Sequence, residues 1–168
     1  MKKFTHLDER GRVKMVDVTE KGITLREAKA TGAVLMRPET FQMVMTGGVE
    51  KGDVLGVAKV AGIMGAKRTA ELIPMCHPLN ITAIDISFHP IQQENKIEIE
   101  AQVKLKGQTG VEMEALVAVA TAALTIYDMC KAVDREMVIS DIHLVEKKGG
   151  KSGHFLWRGN EGEGSRRK

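Results

Sequence analysis

The chain has 168 residues, of which 43% are hydrophobic and 28% are charged, a length and composition typical of one globular domain. Its formal net charge of +3 is small and its basic residues are dispersed, which argues against a nucleic-acid-binding protein but leaves an anionic small ligand compatible. Two cysteines are too few for a disulfide scaffold, and we expect them to be reduced thiols in a cytoplasmic protein that lacks a secretory signal and a membrane span.

We expect neither a secretory signal nor a membrane span in this sequence. The first residues carry two lysines without an apolar stretch behind them, which does not fit a secretory signal. The longest uncharged run, from Ala115 to Tyr127, is shorter than the roughly 20 residues that cross a bilayer, so we predict no membrane span. We predict a single domain over residues 1–168, with a mobile N-terminal arm at about 1–20 and a flexible tail at about 154–168.

The first half of the ordered region is predicted to contain one strand and two helices. Residues 23–36 fit either a helix or a strand, and the proline that follows at 38 favours a strand ending before it. A short helix is predicted over 38–45, because proline lies in its first turn and two glycines follow it. Asp53 is expected to cap the next helix, which extends to about Ile73.

The second half is predicted to contain a hairpin, a long helix and a last strand. Residues 81–91 and 96–107 alternate apolar and polar side chains, the pattern of strands with one buried face. A long apolar helix is predicted over 111–133 and a strand over 137–148. Strand, helix, hairpin, helix and strand in this order are typical of ferredoxin-like folds. We therefore predict an α+β protein with a four-stranded antiparallel sheet and helices packed on one face.

The long helix ends with two charged residues, Asp128 and Lys131, three positions apart and therefore on one helix face. Apolar residues occur on nearly every side of this helix, so we expect protein to cover most of it. Charges in such surroundings are expected to be paired, hydrogen-bonded or in use. On spacing alone a structural ion pair is the simpler interpretation, and a catalytic pair is the alternative.

The sequence Pro-Met-Cys-His-Pro at 74–78 predicts a stiff turn that can present backbone groups together with the imidazole of His77. A zinc site at Cys76 and His77 is disfavoured, because adjacent side chains on an extended chain diverge and no CxxC or HxxxH partner is present. The plain alternative is a rigid connection with His77 at the surface. We predict no metal site here.

Thr109 and Glu112 fit a capping box at the start of the long helix, and Glu114 gains from the helix dipole, so neither glutamate alone indicates a site. The string GGKSG at 149–153 resembles part of a phosphate loop, but the loop's first glycine and its following helix are missing. Its glycines and lysine can still approach an anion, and a solvated tail is the alternative.

Several longer motifs, AKRTAELIPMCHPL, TGVEMEAL, ALTIYDMCKAV and GGKSG, occur between about residues 17 and 152. With them the chain closely resembles the MoaC family, the cyclic pyranopterin monophosphate synthases of molybdenum-cofactor biosynthesis. The resemblance implies a cytoplasmic lyase that converts (8S)-3',8-cyclo-7,8-dihydro-GTP to cyclic pyranopterin monophosphate and pyrophosphate. It implies a homohexamer built as a trimer of dimers, with active sites at subunit interfaces. No cofactor is expected to be required, and the sequence leaves open whether Mg²⁺ accompanies the triphosphate.

The resemblance also assigns roles to individual positions. It implies that Asp128 and Lys131 are catalytic, and we expect Lys131 to act as general acid and base while Asp128 orients it. Lysines are expected to meet the triphosphate, and glutamates near residue 112 to accept hydrogen bonds from the guanine-like edge. The residues implied in substrate binding are Met75, Cys76, His77, Glu112, Met113, Glu114, Lys51, Lys67 and Lys147.

Helix length adds an inference that is independent of the resemblance. Met113 and Asp128 are 15 residues apart on one predicted helix, about 22 Å at 1.5 Å per residue. One small nucleotide does not comfortably bridge that distance, so a site that uses both ends is most simply shared between subunits.

Two other functions remain as alternatives to this enzyme. One is a non-catalytic ferredoxin-like module that binds a nucleotide or RNA, although an aromatic content of 4% leaves few side chains for base stacking. The other is a zinc-dependent hydrolase that uses Cys76 and His77, which metal analysis after chelation would test.

Overall fold

The structure is a computed structural model that describes residues 10–159. Residues 1–9 of the predicted arm and 160–168 of the predicted tail lie outside the described residues. Within the described range the strands form one five-stranded antiparallel sheet. In chain order the elements are β1 (Thr24–Leu35), α1 (Pro38–Thr46), α2 (Val54–Lys67), α3 (Thr69–Leu72), β2 (Ala83–Ile91), a 3₁₀ turn (Gln92–Glu94), β3 (Lys96–Gly107), α4 (Glu112–Cys130), β4 (Val138–Lys148) and β5 (Phe155–Leu156).

The strands lie in the order β2-β3-β1-β4-β5. The first four reproduce the split βαβ arrangement of a ferredoxin-like fold, since β1 and β2 flank β3 and a helical crossover joins them. This confirms the predicted fold class. The predicted four-stranded sheet is one strand short, because Phe155 and Leu156 pair with β4 at the edge of the sheet. Two residues are too short a run to show the alternation by which strands are recognised.

The core lies between the sheet and the helices. Side chains along β3 alternate between the two faces, and those that face the helices are apolar and fully buried. Burial of each larger aliphatic side chain contributes about 1.5–3 kcal/mol to stability. The buried residues of β3 are Ile97, Ile99, Ala101, Val103 and Leu105.

The single helix predicted for residues 53–73 is two helices in the structure. The first ends at Lys67, and Arg68 leaves the helical conformation before α3 begins. The break has a local cause, because the buried Thr69 hydroxyl donates a hydrogen bond to the carbonyl of Ala66 at 2.9 Å. Such a side-chain bond competes with continuation of the backbone ladder. The prediction of one continuous helix is therefore wrong.

Glycines allow α2 to pack closely against α4. A Cβ at Gly62 would lie 2.9 Å from the carbonyl oxygen of Ala118, and one at Gly65 would overlap the side chain of Thr121. Larger residues at these positions would force the helices apart. The two helices therefore have a fixed separation along the middle of their contact.

The central helix, α4, packs against β1, β3 and β4 as well as α2. By length and hydropathy alone it could cross a membrane, but 56% of that stretch is buried inside the protein, which identifies it as a core helix.

The first residue of α4 is Glu112, and the N-cap residue before it, Val111, makes no side-chain hydrogen bond to the helix. The predicted capping box of Thr109 and Glu112 is wrong, because Glu112 is the first helical residue rather than the third. The helix ends at Cys130, so Lys131 is its C-cap.

Candidate functional site

A cleft of about 510 Å³ opens beside the first turn of α4. One wall is the 73–79 segment, where the backbone N–H of Cys76 donates to the carbonyl of Ile73 at 3.0 Å and closes a tight turn. The opposite wall is the start of α4. The predicted site residues that line this cleft are Met75, Cys76, His77, Glu112, Met113 and Glu114.

Glu114 gives this cleft a titratable group near neutral pH. The residue is only 3% exposed. Burial raises the pKa of its carboxyl to about 7, and the neighbouring charge of Glu112 adds to that effect. A carboxyl group with such a pKa can donate or accept a hydrogen bond, or a proton, under physiological conditions.

The Cys76 thiol in the same cleft is held in its protonated form. Burial raises its pKa, and the charge of Glu114 raises it further. A protonated thiol is neither a strong nucleophile nor a ready zinc ligand. Within residues 10–159, no group of three or more His, Cys, Asp or Glu side chains is placed to hold a metal ion. The zinc-hydrolase alternative therefore finds no ligand set in that part of the chain.

Lys67 lies next to this cleft rather than in it. It lines a smaller cavity of about 130 Å³ together with His77 and Glu114, which belong to both spaces. The C-terminal end of α2 thus places the ammonium group of Lys67 near the N-terminal end of α4. The sequence placed Lys67 late in a helix but did not indicate that this helix runs antiparallel to α4.

A second cleft, of about 660 Å³, adjoins the first and shares Glu112 and Thr109 as lining residues. Lys147 of β4 projects into it, with its Nζ 3.9 Å from Oε1 of Glu112 and in contact with the Ser152 hydroxyl. Several cations converge on this space, which suits an anionic group. The basic residues that line it are Lys21, Arg26, Lys147 and Lys151.

Arg26 is a residue of this cleft that the sequence reasoning missed. It is only 7% exposed, and its guanidinium donates to the carbonyls of Gly107 at 3.3 Å and Gln108 at 3.2 Å. A Cβ at Gly150 would overlap this guanidinium, so the glycine of GGKSG is needed for close approach. The available signal was a charged residue in the buried register of β1, two positions before Ala28.

The predicted catalytic pair lies at the other end of α4, together with Lys51. Nζ of Lys131 is 2.6 Å from Oδ1 of Asp128, and Nζ of Lys51 is 3.5 Å from Oδ2. Lys51 also donates to the backbone carbonyl of Asp128 at 2.9 Å. The hydrogen bond from Lys131, followed by the charges of Lys131 and Lys51, lowers the pKa of Asp128.

The expectation that protein covers this pair is wrong for a single copy of the chain. The side chains of Asp128 and Lys131 are 60% and 53% exposed. They lie in the last turn and at the C-cap of α4, whereas most of the apolar residues before them are buried. In a single copy of the chain the pair is therefore accessible to solvent and to a second molecule.

Asp134 fixes the segment that follows Lys131. Its buried carboxylate accepts hydrogen bonds from the backbone N–H groups of Arg37 at 2.9 Å and Glu136 at 3.0 Å. Burial opposes its ionisation, but these bonds and the Arg37 charge outweigh that effect and lower its pKa. Its own N–H donates to the carbonyl of Cys130 at 3.0 Å. The loop after α4 is thereby tied to the start of α1, which positions Lys131.

The predicted site residues thus form two groups at opposite ends of α4. Lys51, Asp128 and Lys131 form the C-terminal group. Within one copy the groups are separated by about 22 Å along the helix axis. The N-terminal group consists of Met75, Cys76, His77, Glu112, Met113, Glu114, Lys67 and Lys147.

The fold and the clefts define a ferredoxin-like protein with room for a small anionic ligand. The MoaC family matches residues 15–150. A cyclic pyranopterin monophosphate synthase from Pelotomaculum thermopropionicum is 61% identical over 161 residues, covering 96% of this chain and 95% of that protein. Synthases of the same name from Heliobacterium modesticaldum and Chloroflexus aurantiacus are each 60% identical, covering 93% and 90% of this chain and 98% and 93% of those proteins. The chain belongs to the MoaC family and is an enzyme.

Proposed function

We propose that the chain is a cytoplasmic cyclic pyranopterin monophosphate synthase of molybdenum-cofactor biosynthesis. It converts (8S)-3',8-cyclo-7,8-dihydro-GTP to cyclic pyranopterin monophosphate and releases pyrophosphate. The observation that carries the proposal is identity of about 60% to synthases of that name over nine-tenths or more of the chain. The reaction needs no cofactor from the protein, and any Mg²⁺ would arrive with the triphosphate.

The two adjoining clefts suit the two parts of this substrate. A guanine-derived ring presents N–H donors, which match the carboxyl groups of Glu112 and Glu114 in the first cleft. The triphosphate carries several negative charges, which match Arg26 and Lys147 in the second cleft. The shared wall at Glu112 lets one molecule occupy both spaces.

Rebuilding the purine-derived ring into a pterin requires repeated proton transfers. Lys131 acts as general acid and base, and Asp128, 2.6 Å away, orients its ammonium and shares the transfers. In the phosphate step a substrate hydroxyl attacks the α-phosphorus, and the bond to the bridging oxygen of the β-phosphate breaks as pyrophosphate leaves. The hydroxyl proton passes to a base in the site, and Lys51 adds positive charge beside the pair.

One copy of the chain presents both groups but too far apart to serve one substrate. We therefore place each active site between two subunits, one supplying the N-terminal group and the other supplying Lys51, Asp128 and Lys131. A closed assembly of dimers, such as a trimer of dimers, repeats this shared site with the same contacts each time.

Incubation with the cyclised dihydro-GTP substrate tests the reaction. We expect both pyrophosphate and the pterin product with the wild-type chain, and neither with Lys131→Ala. Absence of both products with the wild-type chain would overturn the assignment. Binding without turnover would favour the nucleotide-binding module instead.

Subunit mixing tests the sharing of the site separately from the reaction. Asp128→Ala and Glu112→Ala proteins are each expected to be inactive. After random exchange half of the dimers are mixed and one of their two sites is intact, so about a quarter of the wild-type activity should return. No recovery, with exchange verified by mass, would argue against a shared site and leave the proposed reaction standing.

A further inference from the structure

The loop at 149–153 contributes Gly150, Lys151 and Ser152 to the second cleft. Its glycines have left-handed backbone angles, with φ of 94° at Gly149, 76° at Gly150 and 68° at Gly153. Glycine adopts such angles readily, but it loses more conformational freedom than other residues when it is fixed. The shape of this loop therefore depends on what holds the two strands beside it.

The strand that follows the loop, β5, is too short to hold it alone. Its two residues pair with Glu146 and Lys147 of β4. Phe155 and Leu156 are themselves 43% and 55% exposed, so little of their side chains is packed. Isolated pairs of strands are marginally stable even when they are longer than this. Contacts outside β5 are therefore needed to fix its position.

The residue after β5, Trp157, makes two contacts with β4. Its backbone N–H donates to the carbonyl of Val145 at 2.8 Å. Its indole lies against the imidazole of His143, with 4.1 Å between the ring centroids and 49° between the ring planes. Nδ1 of His143 donates to the carbonyl oxygen of Asp141 at 2.7 Å, which orients the imidazole. Nε2 is buried and makes no hydrogen bond within residues 10–159, so the ring serves Trp157 as a packing surface.

A bulge in β4 separates this ring contact from the second cleft. Val145 is an extra residue in the pairing of β4 with β1. Because an extra residue reverses the alternation of side chains, Lys147 lines the cleft, whereas His143 pairs with Thr31 on the other face of the sheet. Neither His143 nor Trp157 lines the second cleft. Any effect of these two residues on the cleft therefore acts through the loop.

One other side-chain contact ties this end of the chain to β4. Nε2 of His154 is 2.7 Å from Oε1 of Glu146, but the His154 side chain is 55% exposed. Exposed pairs of this kind contribute little to stability. The ring contact at Trp157 is therefore the stronger of the two side-chain contacts.

We propose that His143 and Trp157 are positioning residues for the second cleft. Their ring contact, which we call the latch, fixes β5 on β4 and so holds Lys151 and Ser152 where a polyphosphate group binds. Ser152 is already in contact with the Lys147 ammonium, which shows that the loop reaches the cations of the cleft. The identity of the ligand rests on the proposed function, but the latch rests on the contacts of the two rings.

Steady-state kinetics of the full chain tests the latch. Trp157→Ala should raise KM at least about tenfold, the effect of losing one charge-assisted hydrogen bond in the cleft. The kcat should stay within about twofold, because the proton-transfer group lies at the other end of α4. Trp157→Phe keeps an aromatic ring and should have a KM near that of the wild type. Leu156→Ala removes the neighbouring, similarly exposed side chain and is the matched control, with KM unchanged. Equal KM values for Trp157→Ala and Leu156→Ala would overturn the proposal.

A double-mutant cycle identifies the partner of Trp157. His143→Ala should raise KM by a similar factor. The double variant should have the same KM as either single variant, because each change removes the same contact. Factors that multiply in the double variant would show that the two residues act independently, which would contradict the latch.

Binding of inorganic triphosphate measures the latch without reference to turnover. Trp157 is the one tryptophan of the sequence, so its fluorescence reports on the ring contact directly. His143→Ala should increase the quenching of this fluorescence by acrylamide and weaken triphosphate binding, measured by calorimetry, at least about tenfold. His143→Phe should preserve both properties. Wild-type quenching or wild-type affinity in His143→Ala would refute the proposal, as would a wild-type chain that does not bind triphosphate.

The outcomes separate the latch from the proposed function. Triphosphate binding that depends on His143 and Trp157, in a chain that forms neither pyrophosphate nor the pterin product, would support the latch and count against the proposed function. Product formation by a chain whose triphosphate affinity is the same with and without these rings would overturn the latch and leave the proposed function standing.

Discussion

The two ends of α4 place ionisable side chains in opposite surroundings. At the N-terminal end Glu114 is buried beside a cleft, and burial raises its pKa to about 7. At the C-terminal end Asp128 is exposed, and the hydrogen bond from Lys131 lowers its pKa. One end lines an enclosed cleft and the other presents charges outward. In the proposed mechanism the N-terminal end is the binding half and the C-terminal end is the proton-transfer half.

The largest expected effect is on the proton-transfer half. Lys131→Ala should lower kcat by at least about 100-fold, because a positioned general acid–base contributes about 10²–10⁴-fold. Lys131→Arg should be nearly as inactive, since an arginine keeps the charge but does not release a proton. Lys59→Ala, which removes an exposed lysine of α2, is the matched control and should leave kcat unchanged. A normal rate of pyrophosphate release by Lys131→Ala would assign chemistry to another residue.

The next effect is a pH dependence that belongs to the binding half. Because the pKa of Glu114 is higher folded than unfolded, its contribution to stability is present below pH 4.5 and is lost as pH rises through about 7. Urea unfolding should show the free energy of unfolding of the wild type falling by up to about 3 kcal/mol across this window, relative to Glu114→Gln. Glu39→Gln, which removes an exposed carboxyl group in the first turn of α1, is the control. Parallel curves for wild type and Glu114→Gln would refute the assignment.

Asp128 should respond in the opposite direction. Its pKa is lower folded than unfolded, so its contribution is present at neutral pH and is lost as pH falls below the ordinary value of 3.8. The side chain is exposed, and salt should therefore weaken this dependence.

A smaller effect is expected in the basic cleft next to the binding half. Lys147→Ala should raise KM by about 10- to 100-fold with a lesser change in kcat, because one charge-assisted hydrogen bond contributes about 1.5–3 kcal/mol. Lys148→Ala is a close control, since that neighbour pairs with Glu146 at 2.9 Å instead. Equal KM values for the two variants would remove Lys147 from triphosphate binding.

The smallest effect concerns how the two helices are started. Asp53→Ala should cost about 1 kcal/mol, because the side chain accepts a hydrogen bond from the N–H of Gly56 at 2.9 Å. Thr109→Ala should cost less than about 0.5 kcal/mol, since Thr109 caps nothing. Chemical denaturation of both variants measures the difference, and equal losses would restore the capping box.

Local patterns predicted most of the fold. Alternation over 81–91 and 96–107 identified the hairpin, because one face of β3 is buried and apolar residues of β2, such as Ile86 and Phe88, pack against the same core. The same patterns failed where a tertiary contact decides the conformation. The break at Arg68 depends on a buried hydroxyl, and β5 depends on the edge of β4, and neither leaves a periodic signal.

The site was less accessible to sequence reasoning than the fold. The motifs predicted individual site residues but not their grouping, since Cys76 and Glu114 are far apart in the chain and meet only through folding. Nor could spacing show that the Asp128 and Lys131 side chains are exposed, because helical periodicity does not locate the end of a helix to within a turn. Arg26 was missed because residues 23–36 fitted either a helix or a strand, so the buried register of β1 was not assigned.

The close contact at the glycines between α2 and α4 means that a substitution in the protein interior can affect residues at both ends of α4. α2 follows Lys51, which pairs with Asp128, and ends at Lys67, which shares a cavity with His77. Helix α2 therefore connects the two groups of site residues, and Gly62 sets its distance from α4. A bulkier residue at Gly62 would move α2 away from α4 and displace both Lys51 and Lys67. We expect such a substitution to change ligand affinity and proton transfer together, although residue 62 lines neither cleft.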